Sequence, residues 1–240
     1  MAEEVRINKY LSSMGVCSRR EADRLIENGE IHIDGRPAVM GDKVRVDGDR
    51  ATNEIAVKGK ILNKAKPERT VIAYNKPCGI ECTADKKNKQ NILDAIGYRE
   101  RLIYMGRLDK NSHGLILLTT DGELVNKVMK SVVEKEKEYI VKVNKDITDK
   151  FIYDMGNGVD ILDTKTKKCI VWKVNNNTFG IVLTQGLNRQ IRRMCEALGY
   201  GVKDLKRIRI ENIKLDGIKE GEYRTLSNEE IKVLENGRKK

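Results

Sequence analysis

Residues 106–122 read Gly106-Arg107-Leu108-Asp109-Lys110-Asn111-Ser112-His113-Gly114-Leu115-Ile116-Leu117-Leu118-Thr119-Thr120-Asp121-Gly122 and set a polar turn against a continuous apolar run. Four aliphatic side chains in a row, bounded by Gly114 and by Thr-Asp-Gly, read as a short buried strand. The turn ahead of that strand holds one carboxylate, Asp109. Loops carried on a rigid scaffold are where chemistry collects. An Asp in a Lys-Asn-Ser turn can equally serve its own backbone by local hydrogen bonding. The rest of the chain has to separate the two readings.

The chain of 240 residues has room for one large domain or two modest ones, and its 39% hydrophobic content supports a real core. Five cysteines (Cys17, Cys78, Cys82, Cys169 and Cys195) are scattered, and there are only two histidines to complete a metal site. Zinc is therefore disfavoured, and reduced thiols in a cytoplasmic protein are the better reading. No N-terminal stretch resembles a signal peptide, and no apolar run is long enough to span a membrane. The net charge is +11, and it is unevenly placed. Residues 1–60 hold eleven basic and eleven acidic residues, whereas residues 61–240 hold thirty-six and twenty-five. The excess points to a polyanionic partner, nucleic acid first.

The first sixty residues have their own texture. Ile7, Tyr10, Leu11 and Met14 fall at helical spacing, and Gly15 ends the run. Ser18-Arg19-Arg20-Glu21 forms a capping box that opens a second helix, which buries Ala22, Leu25 and Ile26 and stops at Gly29. Ile31-His32-Ile33 enters an Asp34-Gly35 turn, and Val44-Arg45-Val46 repeats the alternation. Arg19, Arg20 and Arg24 stay off the apolar helix face. They form either a phosphate-binding surface or an ordinary solvated face. In order and spacing, Arg6 to Leu11, Gly15 to Ala22 and Gly29 to Arg36 resemble an S4 RNA-binding domain. That resemblance implies two helices packed on a small sheet, with Arg6, Lys9, Arg19, Arg20, Arg24 and Arg36 facing RNA.

Residues 51–69 read as the trailing strand of this module plus a linker. From Val71 strands and helices alternate without regular βαβ spacing, which favours a mixed α+β domain over a doubly wound sheet. Val71 to Tyr74 is a strand stopped near Pro77, and Leu124 to Met129 is a helix. Tyr139 to Val143 and Gly180 to Thr184 are strands, and Ile191 to Leu198 is a helix stopped by Gly199. Arg107 precedes Asp109 by two, so an extended approach points both the same way. Tyr139 opens a strand after the charge run Glu134 to Glu138. Gly186 to Arg193 packs three arginines at a helix start, and Leu205 to Ile210 alternates basic and apolar residues to give one basic edge. Each of these also has a plain structural reading as core residue or solvated charge.

Together they match a known pattern. Asn75-Lys76-Pro77-Cys78-Gly79-Ile80, the Gly106 to Thr119 stretch, Lys137-Glu138-Tyr139 and Gln190-Ile191-Arg192 resemble the RsuA/RluA-type pseudouridine synthases, and the attached S4 module resembles the RsuA-like branch. The resemblance implies an α+β chain. It would comprise a small S4 (αL-type) RNA-binding domain over 1–60, a linker over 61–69, and a mixed, mainly antiparallel-sheet catalytic domain over 70–240. It implies isomerisation of uridine to pseudouridine in ribosomal RNA, most of all in the large subunit, by a monomer that needs neither metal nor cofactor. The RNA would be a structured stem-loop, in naked RNA or in a large-subunit precursor.

By the same resemblance Asp109, Tyr139 and Arg192 are catalytic, while Arg107, Leu205, Lys76, Arg189 and Arg207 bind substrate. Arg192 would pair with Asp109 and keep it ionised, as a non-titrating bidentate cation can. Tyr139 would stack the detached base, with Leu205 as the wall behind it. Arg107 would fill the space left by the extruded nucleotide. His113 falls in a slot that the family lets vary and has no role. Two alternatives remain: the same reaction on small-subunit or other RNA, and a non-catalytic S4-type RNA-binding or ribosome assembly protein.

Overall fold

The computed structural model describes residues 3–63, 65–132 and 135–236; Lys64 of the expected linker and Glu134 of the charge run lie outside the described residues. The chain divides into two compact units. One is built on the residues up to Arg69, joined by Arg99–Leu102 and Thr120–Gly122, and the other on the rest.

The first unit runs β1 (Glu3–Arg6), α1 (Ile7–Ser13), α2 (Arg19–Glu27), β2 (Ile31–Ile33), β3 (Arg36–Pro37), β4 (Lys43–Asp47), β5 (Arg50–Ala51), β6 (Ile55–Val57) and β7 (Lys60–Ile61). Its strands form two small sheets, β1-β4-β5 and β3-β2-β6-β7. The helices meet through Ile7, Leu11, Met14, Ala22 and Ile26, all buried. The Ser18 Oγ accepts the Glu21 N–H at 3.0 Å, as the capping box requires. The Glu21 carboxylate does not return to the cap, because it is drawn into an ion pair with Arg24. Residues 51–69 hold more structure than expected. Lys58 (φ 52°) and Gly59 (φ 72°) close a two-residue hairpin that pairs β6 with β7. Two positive φ values match the right-handed strand twist, but strands of three and two residues are too short to show a period in the sequence.

The second unit continues with β8 (Val71–Lys76), α3 (Ile92–Ile96), β9 (Ile103–Met105), β10 (His113–Thr119), α4 (Gly122–Val132), β11 (Lys137–Val143), α5 (Asp149–Asn157), β12 (Asp160–Ile161), β13 (Thr164–Lys165), β14 (Ile170–Asn175), β15 (Thr178–Leu183), α6 (Gln190–Ala197), β16 (Val202–Ile210), β17 (Ile213–Lys214), β18 (Tyr223–Thr225) and α7 (Asn228–Asn236). Its main sheet has the order β14-β15-β11-β16-β10-β8-β18, with β9 also on β10 and β17 also on β16. All its pairings are antiparallel except β10 with β16. Leu115, Ile116, Leu117 and Leu118 are all buried, so the continuous apolar run reflects a strand covered on both faces. Leu115 and Leu117 join Val71 and Ala73 of β8, Leu124 and Val128 of α4, and Ile231 and Leu234 of α7 in one core. No helix among the described residues is long and apolar enough to cross a membrane.

Candidate active site

The turn carrying Asp109 is clamped from outside itself. Beneath it, the Lys76 side chain is fully buried; its Nζ donates to the carbonyls of Pro77 (2.8 Å) and Ile80 (2.7 Å), with that of Lys110 at 3.5 Å. The Gly79 N–H also donates to the Lys110 carbonyl, at 2.9 Å. Leu108 is buried, and its N–H meets Cys82 Sγ at 3.4 Å. From α6, the Arg192 Nη2 donates to the Asn111 carbonyl at 2.7 Å and to Ser112 Oγ at 3.3 Å. The Ser112 N–H closes the turn on the Asp109 carbonyl at 3.0 Å. The turn thus uses main-chain groups and neighbours, and the Asp109 carboxylate makes no hydrogen bond to it among the described residues. That removes the plain reading of Asp109 as a turn-capping residue.

Two expectations are corrected here. The guanidinium near the Asp109 carboxylate is that of Arg189, with Nη1 3.8 Å from Oδ2, rather than that of Arg192. Arg189 precedes the first turn of α6 in a left-handed conformation (φ 51°, ψ 34°), which sends its side chain a different way from those of the helix proper. Arg192, one turn on, is occupied by Asn111 and Ser112. Lys76 does not reach substrate space either. Its ammonium is desolvated, which lowers its pKa, and three carbonyls hold it inside the loop.

Above the turn opens a cavity of about 1120 Å³, lined by Asp109, Arg107, Tyr139, Arg189, Arg192, Leu205 and Arg207. These are all the expected catalytic and substrate residues except Lys76. Lys110, Lys137 and Lys167 also line it, against Glu81 and Asp109 as its acids, so the cavity is strongly cationic. Tyr139 is 9% exposed and stands opposite Arg207 in the β11–β16 register, next to a bulge at Glu138/Tyr139. Leu205 lies two residues before Arg207, on the same side of β16.

The expected basic edge of β16 is also corrected. Arg207 is 3% exposed, its Nε donating to the Leu115 carbonyl at 2.6 Å, and Arg209 is paired with Glu136 and Glu138. Alternation alone could not distinguish an outward basic stripe from one turned into a cavity. Lys137, the first residue of the Lys137-Glu138-Tyr139 motif, has no role in the resemblance yet lines the cavity. Its place two residues before Tyr139 on one strand puts both on the same face. Burial, reinforced by Arg207, pushes its pKa down to about 8.

In the first unit Arg6, Arg19, Arg20, Arg24 and Arg36 are exposed and Lys9 is half-buried. Arg24 pairs with Glu21, and Arg36 with Asp42 at 2.8 Å. Arg6, Arg19 and Arg20 have no ion-pair partner among the described residues.

Residues 70–197 match the model of the RNA pseudouridylate synthase family, and residues 5–39 match the S4 domain. The chain belongs to the RNA pseudouridylate synthase family. It is 48% identical over 237 residues to the dual-specificity RNA pseudouridine synthase RluF of Escherichia coli K12, covering 97% of this chain and 80% of that protein. It is 35% identical to the ribosomal large subunit pseudouridine synthase B of Vibrio cholerae, covering 88% of this chain and 68% of that protein. A crystal structure of a pseudouridylate synthase superposes with a TM-score of 0.68 at 26% identity, over 96% of this chain and 99% of that one. This family member is thus an α+β enzyme with an S4 domain ahead of its synthase fold, and its substrate is RNA.

Proposed function

We propose that the chain isomerises a uridine of large-subunit ribosomal RNA, with Asp109 as the catalytic residue, and acts as a monomer in the cytoplasm. The observation that carries the reading is a carboxylate free of its own turn, facing a cation-lined cavity large enough for an extruded nucleotide. In this reading residues 70–240 perform the chemistry, and residues 1–60 grip a structured stem-loop through Arg6, Lys9, Arg19, Arg20, Arg24 and Arg36. Asp109 acts on the ribose or the base as an ionised carboxylate, as single acids do in nucleophilic catalysis. Arg189 is its nearest cation, and Arg192 positions it through Asn111 and Ser112. Tyr139 stacks the detached uracil against Leu205, and Arg107 helps to hold the duplex open.

The large-subunit target follows the relatives, one of which is named for that subunit. Others are named dual-specificity RNA synthases, which favours a second RNA substrate as a further reading. The test maps pseudouridines in total RNA from cells with and without the gene. One large-subunit site should disappear, then return with the intact gene but not with Asp109→Asn. A site lost only from small-subunit RNA would overturn the target, and no lost site would overturn the reading.

A further inference from the structure

The β12–β13 hairpin closes through a turn that its sequence does not favour. Ile161 pairs with Thr164, so Leu162 and Asp163 alone make the connection, at φ 50° and 57°. A two-residue turn with positive φ at both positions is the place for Asn-Gly, and a bulky side chain there meets a steric penalty. Leu162 takes that penalty without gaining burial, being 48% exposed. The hairpin beneath the tip is firmly held. The Thr166 N–H donates to the Val159 carbonyl at 3.0 Å, and its Oγ1 accepts the Val159 N–H at 2.9 Å. Gly158 (φ 91°) lets the chain close this tightly, because a Cβ there would lie 2.3 Å from the Thr166 carbonyl oxygen. Ile161 and Thr166 are buried.

The base of the hairpin is fastened to the cavity wall. The Lys167 N–H donates to Gln185 Oε1 at 3.0 Å, which Gln190 Nε2 also approaches at 3.3 Å, and all three residues line the cavity. At about 3.4 Å per residue, Leu162 lies within about 17 Å of Lys167 along the chain. Lys165, Lys167 and Lys168 are exposed on the return side of the hairpin, against Asp160 and Asp163, so the cationic lining of the cavity continues onto it. Resting on the reading above, in which a uridine enters the cavity, we propose that β12–β13 docks the RNA strand beside the target. Leu162 packs on the face of a neighbouring base, and Lys165 and Lys168 take its phosphates. A nucleotide drawn out of its stack leaves its neighbours with open apolar faces, which an aliphatic side chain on a rigid tip can cover. Lysines beside it attract the backbone whatever the sequence. A lone leucine among charged residues offers too little apolar area for a protein partner, but enough for one base.

The test gives the turn the residues its backbone favours. Leu162→Asn with Asp163→Gly should hold or raise the melting temperature of the full chain, because the steric penalty is gone. The same variant should bind an RNA stem-loop carrying the mapped uridine about tenfold more weakly, the scale of uncovering much of a leucine. Asp163→Gly alone removes a negative charge and should bind at least as tightly as wild type, which assigns the loss to Leu162. Lys165→Gln with Lys168→Gln should reduce the slope of log K against log salt by about one to two. Wild-type affinity in the Asn-Gly variant would overturn the proposal, and so would an unchanged salt slope in the lysine variant. A lower melting temperature in the Asn-Gly variant would make Leu162 a structural residue instead. Conversion of the stem-loop by the wild-type protein is scored separately. Binding without conversion would count against the reading of the cavity, whereas the affinities and salt slopes decide the hairpin.

Discussion

Arg192 Nη2 donates to the main-chain carbonyl of Asn111 at 2.7 Å, two residues beyond Asp109. The bond makes Arg192 a clamp on the Asp109 turn, acting on Asp109 through the backbone rather than through its carboxylate. Arg192→Lys keeps a cation but loses the Nη2 that donates to both Asn111 and Ser112. Single-turnover kinetics should show kcat reduced about ten- to a hundredfold with KM for RNA nearly unchanged, because misplacement of a reacting group is felt in the chemical step. A loss confined to KM would show that Arg192 binds RNA instead.

Asp109→Asn should leave the fold and RNA binding intact and remove activity by at least about a thousandfold, as loss of a covalent or charge-stabilising carboxylate does. The side chain is partly exposed, and among the described residues its one ion-pair contact is the 3.8 Å approach of Arg189, so little stability depends on it. Release of tritium from C5-tritiated uridine RNA measures the rate. Turnover near wild type would remove Asp109 from the mechanism.

Gly114→Ala should be among the most damaging single substitutions. Gly114 has φ +98°, and an added Cβ would meet three backbone atoms of Arg207 at 2.3–3.1 Å. The parallel β10–β16 pair cannot close around it, so chemical denaturation should show a loss of at least about 2 kcal/mol. Activity per folded molecule should fall as well, since Arg207 moves with its strand.

Lys137 predicts a pH dependence of stability. Its ordinary pKa of 10.5 is pushed down to about 8 in the folded protein, by burial first and by Arg207 and Lys135 next, with Glu211 opposing. Between these values the unfolded chain binds more protons than the folded one, so this residue makes stability rise with pH from about 8 to 10.5. Below pH 8 both states are protonated and the penalty of burying the charge is complete. Urea midpoints measured across this window should climb more steeply for wild type than for Lys137→Met, and identical slopes would contradict the shift.

Arg19 and Arg20 are exposed at the start of α2 and unpaired among the described residues. Replacing both by Gln should weaken RNA binding and reduce the slope of log K against log salt by about one to two, as lost phosphate contacts do. The rate on saturating RNA should not change. An unchanged salt slope would make this an ordinary solvated face.

Much of the architecture was written locally. Ser18 and Glu21 announce α2, Asp34-Gly35 announces a turn, and the unbroken Leu115 to Leu118 run announces a short buried strand. Each depends on neighbours a few residues apart, and such signals survive in the linear chain. β6 and β7 escaped because strands of three and two residues carry no period. The site residues were legible only as a recurring set, since no single one separates function from core.

The sequence by itself determined the α+β class, the order of the two modules and the residues that gather at the cavity. Tertiary structure decided what each cation does there. Lys76 is spent on three loop carbonyls, Arg192 on the Asp109 turn and Arg209 on two glutamates, while Arg189 approaches the carboxylate and Arg207 keeps a buried nitrogen unpaired. All five are positive in the sequence. Their roles diverge because hydrogen-bond partners are set by which backbone carbonyls and carboxylates the sheet brings within about 3 Å, a distance that sequence spacing does not encode.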